Sequence, residues 1–309
     1  MGKIKTVPTF LTRDTLKKEV EKRTDGNVTV LYDEKGYPSY MLIIPQFRVE
    51  DIDPNLGTGV HPAFICAGKS YDRIFIGVCL ASEIKERAVS LPDCDARCCV
   101  NFDEARSLCA AKGQGWHLMT NWEWAAVSLF ITKNHIEKYF NREWWEWVDG
   151  LKLLDGELYF PRQNNFEDIE DTWERQGVFF DDRNHDAPIL STEIKNFTEP
   201  DPQGKEDTRN DDYTLVGRYK ELEISDTYKA LPKEKRELMA QMMIEPSKIH
   251  DEVPGGLWVR NYGERVPVRG GYWNNGGGAG LGALNLNYRR SDSYNSVGFR
   301  PAFVGDLKI

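Results

Sequence analysis

The chain has 309 residues, 40% of them apolar and 29% charged, with a formal net charge of −9. That length buries the core of one large domain or two modest ones, and the acidic balance excludes a nucleic-acid backbone as partner, because counterion release needs clustered Lys and Arg. No apolar run approaches bilayer-spanning length, so no membrane insertion is expected; Met1 to Asp14 lacks the apolar block of a signal peptide, so a cytoplasmic or virion location is expected.

In chain order, residues 1–50 read as a small leading unit. Thr12 or Asp14 can cap a helix running to about Arg23, with Asp25-Gly26 ending it. Val28 to Tyr32 and Tyr37 to Ile44 are strand-like around the turn Asp33-Glu34-Lys35-Gly36. Asp51 to His61, rich in Asp, Pro and Gly, is expected as loop, and Ile74 to Ala81 as strand. Asn101 and Glu104 form a capping box for a helix from Phe102 to Lys112, and Thr120 and Glu123 do the same for the next. Trp122, Trp124, Ala125, Ala126, Leu129 and Phe130 make that second helix apolar on most sides, which predicts burial. Aromatic strands follow from Trp144 to Pro161, broken at Asp149-Gly150 and Asp155-Gly156, and residues from about 145 to 250 read as an insertion. Within it Glu199 to Asp212 is a polar surface loop, and Leu231-Pro232-Lys233 starts a helix reaching about Ile244.

Six cysteines, at 66, 79, 94, 98, 99 and 109, lie in the first half of the chain, with none later. Cys94, Cys98 and Cys99, with Cys109 and His117, could suggest a metal site, but the spacing matches no zinc knuckle and no second paired ligand set follows. Reduced, partly buried thiols are expected, and no cofactor. The histidines are scattered without helical ligand spacing.

The terminal segment differs in kind. Between Tyr272 and Asn295 the residues are mostly Gly, Asn, Tyr and Ser, the composition of a paratope, in which Tyr gives contact area at low entropy cost and small polar residues adapt their hydrogen bonds. The flanks, with Val266, Val268, Val297, Phe299 and Phe303, alternate as buried strands do. A solvated, weakly structured tail is the alternative; against it, Leu281, Leu284 and Leu286 recur at spacings that fix a chain to a core.

Gly115-Trp116-His117-Leu118-Met119-Thr120-Asn121-Trp122-Glu123-Trp124-Ala125-Ala126, Arg269-Gly270-Gly271-Tyr272-Trp273 and Gly298-Phe299-Arg300 resemble the motifs of the formylglycine-generating-enzyme group. The resemblance covers about Pro62 to the end, poorly over 200–250, and implies an α+β C-type lectin-like fold over residues 51–309, with the large insertion and a variable binding segment at about 269–300. More closely, Arg-Gly-Gly-x-Trp-x-x-Gly, then Ala283-Leu284-x-Leu286, then Gly-Phe-Arg is similar to the variable proteins of diversity-generating retroelements, in which adenine-directed mutagenesis rewrites Asn codons. His61-Pro62-Ala63-Phe64 beside Gly115 to Leu118 also looks like phage-borne members.

That resemblance implies variable ligand-binding positions at Tyr272, Asn274, Asn275, Gly278, Asn285, Asn287, Tyr288, Asp292, Tyr294 and Asn295, supported by Trp273, Phe299 and a buried Arg300 that hydrogen-bonds loop carbonyls. It implies recognition of a host-surface protein or glycan receptor from a phage tail, and a homotrimer as one assembly. The group's oxidase activity needs a terminal cysteine pair that binds copper, and this chain has no cysteine after Cys109 to take that role. A non-catalytic structural tail protein stays open as an alternative, as does a formylglycine-generating-type oxidase in which a distant residue set replaces those cysteines.

Gly276 to Gly282 lacks the following helix that a phosphate loop requires, so a close-packed turn is expected. Trp122 and Trp124 read as core, while one ring of Trp144, Trp145 and Trp147 is a candidate for exposure. Glu199-Pro200-Asp201 lacks the partner residues of a calcium-dependent sugar site.

Overall fold

The computed structural model describes residues 13–136, 144–167, 170–180, 190–193, 215–218, 224–245, 253–261 and 263–306. The polar stretch 199–212 lies outside them. The chain is a mixed α+β protein, mostly sheet with few helices. Helix α1 (Arg13–Arg23) leads into strands β1 (Val28–Tyr32) and β2 (Pro38–Pro45), joined where Asp33 Oδ1 accepts from the Lys35 and Tyr37 amides. The stretch expected as loop from Asp51 carries the end of a helical turn, Val49–Ile52, and a 3-10 turn, Pro54–Leu56. Strand β3 (Arg73–Gly77) ends before the expected Ala81.

Helix α2 (Phe102–Ala110) and helix α3 (Asn121–Asn134) flank strand β4 (Trp116–Leu118), and both capping boxes read from the sequence are formed. Strands β5 (Trp145–Trp147), β6 (Lys152–Leu154), β7 (Glu157–Phe160), β8 (Glu174–Phe180), β9 (Leu190–Ser191) and β10 (Leu215–Arg218) precede helix α4 (Lys233–Gln241). The terminal part holds β11 (Gly256–Val259), β12 (Glu264–Arg265), β13 (Val268–Gly270), β14 (Gly280–Leu286), β15 (Val297–Phe299) and β16 (Pro301–Phe303).

Among the described residues three sheets of five or six strands result, β1-β2-β3-β16-β4, then β9-β8-β7-β6-β12, then β10-β11-β14-β13-β5-β15, beside two two-stranded ones, Ile65–Cys66 with Lys69–Ser70 and Ser82–Glu83 with Ala88–Val89. Two expectations of organisation change. The leading residues do not stand apart, because their hairpin extends the sheet that holds the last strand, β16. Nor does the insertion begin at 145, because β5 sits inside the third sheet between β13 and β15. The inserted strands β6 to β9 build the second sheet instead, closed by β12.

Helix α3 is the hub of the larger core. Trp122 and Trp124 are fully buried, each contributing roughly 3 kcal/mol by burial of a large ring. Both indoles are satisfied, Trp122 Nε1 donating to Pro161 O at 2.9 Å and Trp124 Nε1 to Leu281 O at 2.8 Å. Against α3 pack Leu42 and Ile44 of β2, and Leu284 and Leu286 of β14. A second core lies on the opposite face of the third sheet, where Phe102, Ala105 and Cys109 of α2 meet Trp145, Trp147, Trp258, Val268 and Phe299.

Candidate recognition surface

The third sheet positions the terminal segment. Register places Trp258, Asn285, Val268, Trp147 and Phe299 in one row across β11, β14, β13, β5 and β15. Directly paired residues share a face, so Asn285 points with these apolar side chains into the second core, while Leu284 and Leu286 point into the first. Both faces of β14 are therefore covered.

This arrangement corrects three of the positions expected at the surface. Asn285 is only 4% exposed and Asn287 only 5%. Asn285 Oδ1 accepts from the Asn287 amide N–H at 2.9 Å, and Asn287 O accepts from Arg265 at 3.2 Å. Neither side-chain amide atom of Asn287 has a hydrogen-bond partner among the described residues. Gly278 is buried too, and a Cβ there would lie 3.1 Å from the Trp258 ring. For the two asparagines the cause is that period-two alternation gives a strand a wet face only when nothing lies over it, and here the second core does; Gly278 lies in the 3-10 turn Trp273–Gly278, against the Trp258 ring.

The other candidates do reach the surface. Asn274, Tyr294 and Asn295 are exposed, and Tyr272, Asn275, Tyr288 and Asp292 are half-buried. Tyr288 stands edge-on to Trp147, ring centroids 5.7 Å apart, and edge-on to Tyr294 at 5.4 Å. An aromatic ladder thus runs from a fully buried indole to a solvent-facing phenol, in the geometry that ring quadrupoles favour. Asn275 and Asp292 turn their side chains inward to the chain itself. Asn275 Oδ1 accepts from the Tyr272 amide at 2.7 Å, and Asp292 Oδ2 from the Arg289 amide at 2.8 Å, each closing a turn. The side chain of Trp273 lies outside what the structure describes. Of the other three tryptophans weighed for exposure, Trp145 and Trp147 are buried and Trp144 is half-buried.

A buried guanidinium stands at each end of the segment. Arg269 is fully buried and donates to Asn121 Oδ1 at 2.8 Å and to Met242 O at 3.0 Å. Arg300, also fully buried, forms a two-pronged ion pair with Glu146 at 2.5 and 2.8 Å, and donates to Gly77 O at 2.9 Å and Val78 O at 2.6 Å. The planar fork of Arg suits such multiple acceptors. Sequence reasoning assigned Arg300 this kind of role and missed Arg269, although it opens the Arg-Gly-Gly motif. Phe299 is fully buried in the second core.

Sequence reasoning also missed the charges beneath the surface. Arg290 pairs with Asp103 at 2.7 Å, with Glu264 at 2.9 Å, and with Glu170. Arg106 bridges Asp149 at 2.8 Å and Glu170 at 2.5 Å. Burial pushes the Asp149 carboxyl up from its ordinary range, and Arg106 opposes that shift. These pairs fix the turn carrying Arg289, Arg290 and Asp292 to α2 and to the inserted sheet.

The Gly-rich turn is packed against backbone: Gly280 takes φ +150, and a Cβ there would meet Pro254 O at 2.1 Å. Burial pushes the Cys109 thiol upward, away from the thiolate that nucleophilic chemistry needs. Among the described residues no group of His, Cys, Asp and Glu is placed to hold a metal, and no helix is long and apolar enough to cross a membrane. No protein-family model matches the chain, and no curated protein matches it.

Proposed function

We propose that this chain is a ligand-recognition protein with a C-type lectin-like fold of the formylglycine-generating-enzyme type, diversified at its C-terminal surface by a retroelement. It acts by binding rather than catalysis, on a host-surface protein or glycan. The fold half is supported by the closure of the last strand, β16, against β3 and β4, with α2 and α3 beside it and a long irregular stretch before the end. The functional half rests on one observation: a Tyr- and Asn-rich stretch is held at both ends by fully buried arginines, Arg269 and Arg300, while Asn274, Tyr294 and Asn295 face solvent.

That combination lets side chains change at little cost, since surface substitutions away from packed features typically move stability by only about 0.5 kcal/mol. Tyr272, Tyr288 and Tyr294 supply contact area, and Asn274 and Asn295 supply adaptable hydrogen bonds. Sequencing the gene from sibling strains or phages tests the reading. Substitutions concentrated at Tyr272, Asn274, Tyr288, Tyr294 and Asn295, beside a reverse-transcriptase gene and a near-copy of the terminal coding segment, are the expected result. Divergence spread evenly along the chain would overturn it in favour of a structural protein.

A further inference from the structure

A strap of residues 97–102 lies along the edge of the candidate surface, fixed on both sides. The Arg97 amide donates to Ala81 O at 2.7 Å, and Val100 O accepts from Trp147 Nε1 at 3.1 Å. Inside it, the Cys99 amide donates to Tyr294 O at 3.1 Å, and the Phe102 amide to Arg290 O at 3.3 Å. The strap therefore carries two of the backbone bonds that place the exposed aromatic and its turn. It also carries adjacent thiols: Cys98 Sγ and Cys99 Sγ lie 3.7 Å apart, Cys99 is exposed and Cys98 partly so. Cys99 takes φ +56, a left-handed backbone that L residues rarely adopt.

We propose that Cys98 and Cys99 form a reversible redox pair, closed by exchange with a low-molecular-weight disulfide, and that closure releases Tyr294 from the strap. One thiolate of the pair attacks the small disulfide RSSR, its S–S bond breaks, and RS⁻ leaves as a mixed disulfide forms on the protein. The adjacent thiolate then attacks the protein-bound sulfur and expels the second RS⁻. The protein loses two electrons and two protons, and RSSR becomes two RSH. Adjacent Cα atoms sit about 3.8 Å apart across a trans peptide, closer than the roughly 4.4–6.8 Å usual for a disulfide. The bond is thus strained, and strained, accessible disulfides are the labile ones. Drawing the sulfurs from 3.7 Å to a bonded distance of about 2 Å turns the peptide between them. That peptide carries the Cys99 amide, so its bond to Tyr294 O is lost.

The test uses the purified full chain and oxidised glutathione. After exposure, free thiols are alkylated and the protein is cut with trypsin; cleavage after Arg97 and Arg106 isolates Cys98 and Cys99 in one peptide, away from Cys94. The expected product is that peptide unalkylated and lighter by two hydrogens, restored by reductant. Amide hydrogen exchange at Cys99 should speed up about fivefold, the equivalent of one lost backbone hydrogen bond. Cys98→Ser, given the same treatment, should form only a mixed disulfide and keep the slow exchange. In the parent chain, that peptide doubly alkylated, carrying a persistent glutathione adduct, or linked to Cys94 overturns the redox pair. Closure with unchanged exchange at Cys99 overturns its coupling to Tyr294.

Discussion

Arg300→Met is the most informative single substitution. The side chain sits with no exposed surface, its fork on Glu146, itself 1% exposed, and its other nitrogen on two carbonyls of the β3 exit, Gly77 and Val78. Methionine fills most of the volume but leaves the Glu146 carboxylate in the core without that guanidinium. Breaking a buried pair from one side costs roughly 3–5 kcal/mol, and each carbonyl deprived of its donor adds about 1 kcal/mol. The sum, roughly 5–7 kcal/mol, is a large share of the 5–15 kcal/mol by which domains are typically stable. Guanidinium denaturation at pH 7 should therefore show a much earlier midpoint with an unchanged slope. Arg300→Met combined with Glu146→Leu separates the contributions: removing both charges should recover roughly 3 kcal/mol or more, because an apolar replacement of a buried pair is often neutral. A loss under about 1 kcal/mol for the single variant, or no recovery in the double, would refute the account of Arg300 as a buried ionic clamp.

Other substitutions probe the surface and the core below it. Tyr294→Ala, at a side chain 39% exposed, should lower stability by no more than about 1 kcal/mol, whereas Asn287→Leu should raise it by about 1 kcal/mol by removing an unpartnered buried amide; thermal melts of both variants check the contrast. Gly280→Ala should cost roughly 3 kcal/mol or more through its φ of +150 and a Cβ 2.1 Å from Pro254 O, and an unchanged melting temperature would remove the close-packed turn. His61, fully buried, accepts from the Ala63 amide through Nδ1 and faces Gln241 O with Nε2, so the neutral ring suits the site and burial depresses its pKa to about 4. The unfolded chain, with the ordinary value of 6.5, takes up the proton first; the contribution is whole above pH 6.5 and is lost as pH falls toward 4. The stability gap between the parent and His61→Asn should therefore shrink by roughly 2–3 kcal/mol between pH 7 and pH 4, as read by denaturation at both values.

The sequence displays what local chemistry decides. Asn101 with Glu104 and Thr120 with Glu123 satisfy helix-start amides within four residues, so both helices are legible at their first turns. The continuous apolar surface around Trp122 and Trp124 likewise reads directly as burial. What the local pattern hides is the cover on the far side of a strand. Leu284-Asn285-Leu286-Asn287 alternates as a half-wet strand would, but the second core that covers it draws on Phe102, Ala105 and Cys109 of α2 and on Trp145 and Trp147 of β5, far upstream in the chain. The hairpin of β1 and β2 is legible, but its place is hidden for the same reason: only pairing with β3, and through it with β16, makes it part of the main sheet. Arg269 looks like a surface cation until Asn121 and the carbonyls it serves are brought in from other elements, and Arg300, legible as buried, does not reveal its carboxylate partner Glu146 until β5 is placed beside it.

Those contacts also divide the terminal segment by how freely each position can vary. At Asn274, Tyr294 and Asn295 the side chain is exposed. At Asn275 and Asp292 the side-chain oxygen accepts from the backbone amide three residues earlier, closing a tight turn, at 2.7 and 2.8 Å. Replacing such an acceptor by an apolar group leaves the amide unmatched and costs about 1 kcal/mol or more. Diversification that acts blindly on codons will therefore be filtered by folding at these two sites and hardly at the other three. Sibling sequences should show Asn, Asp, Ser or Thr at 275 and 292, each able to accept from the turn, alongside a broad spectrum including Tyr, Ile and Phe at 274, 294 and 295. Equal breadth at all five positions would mean that the two turns are not what holds the surface in place.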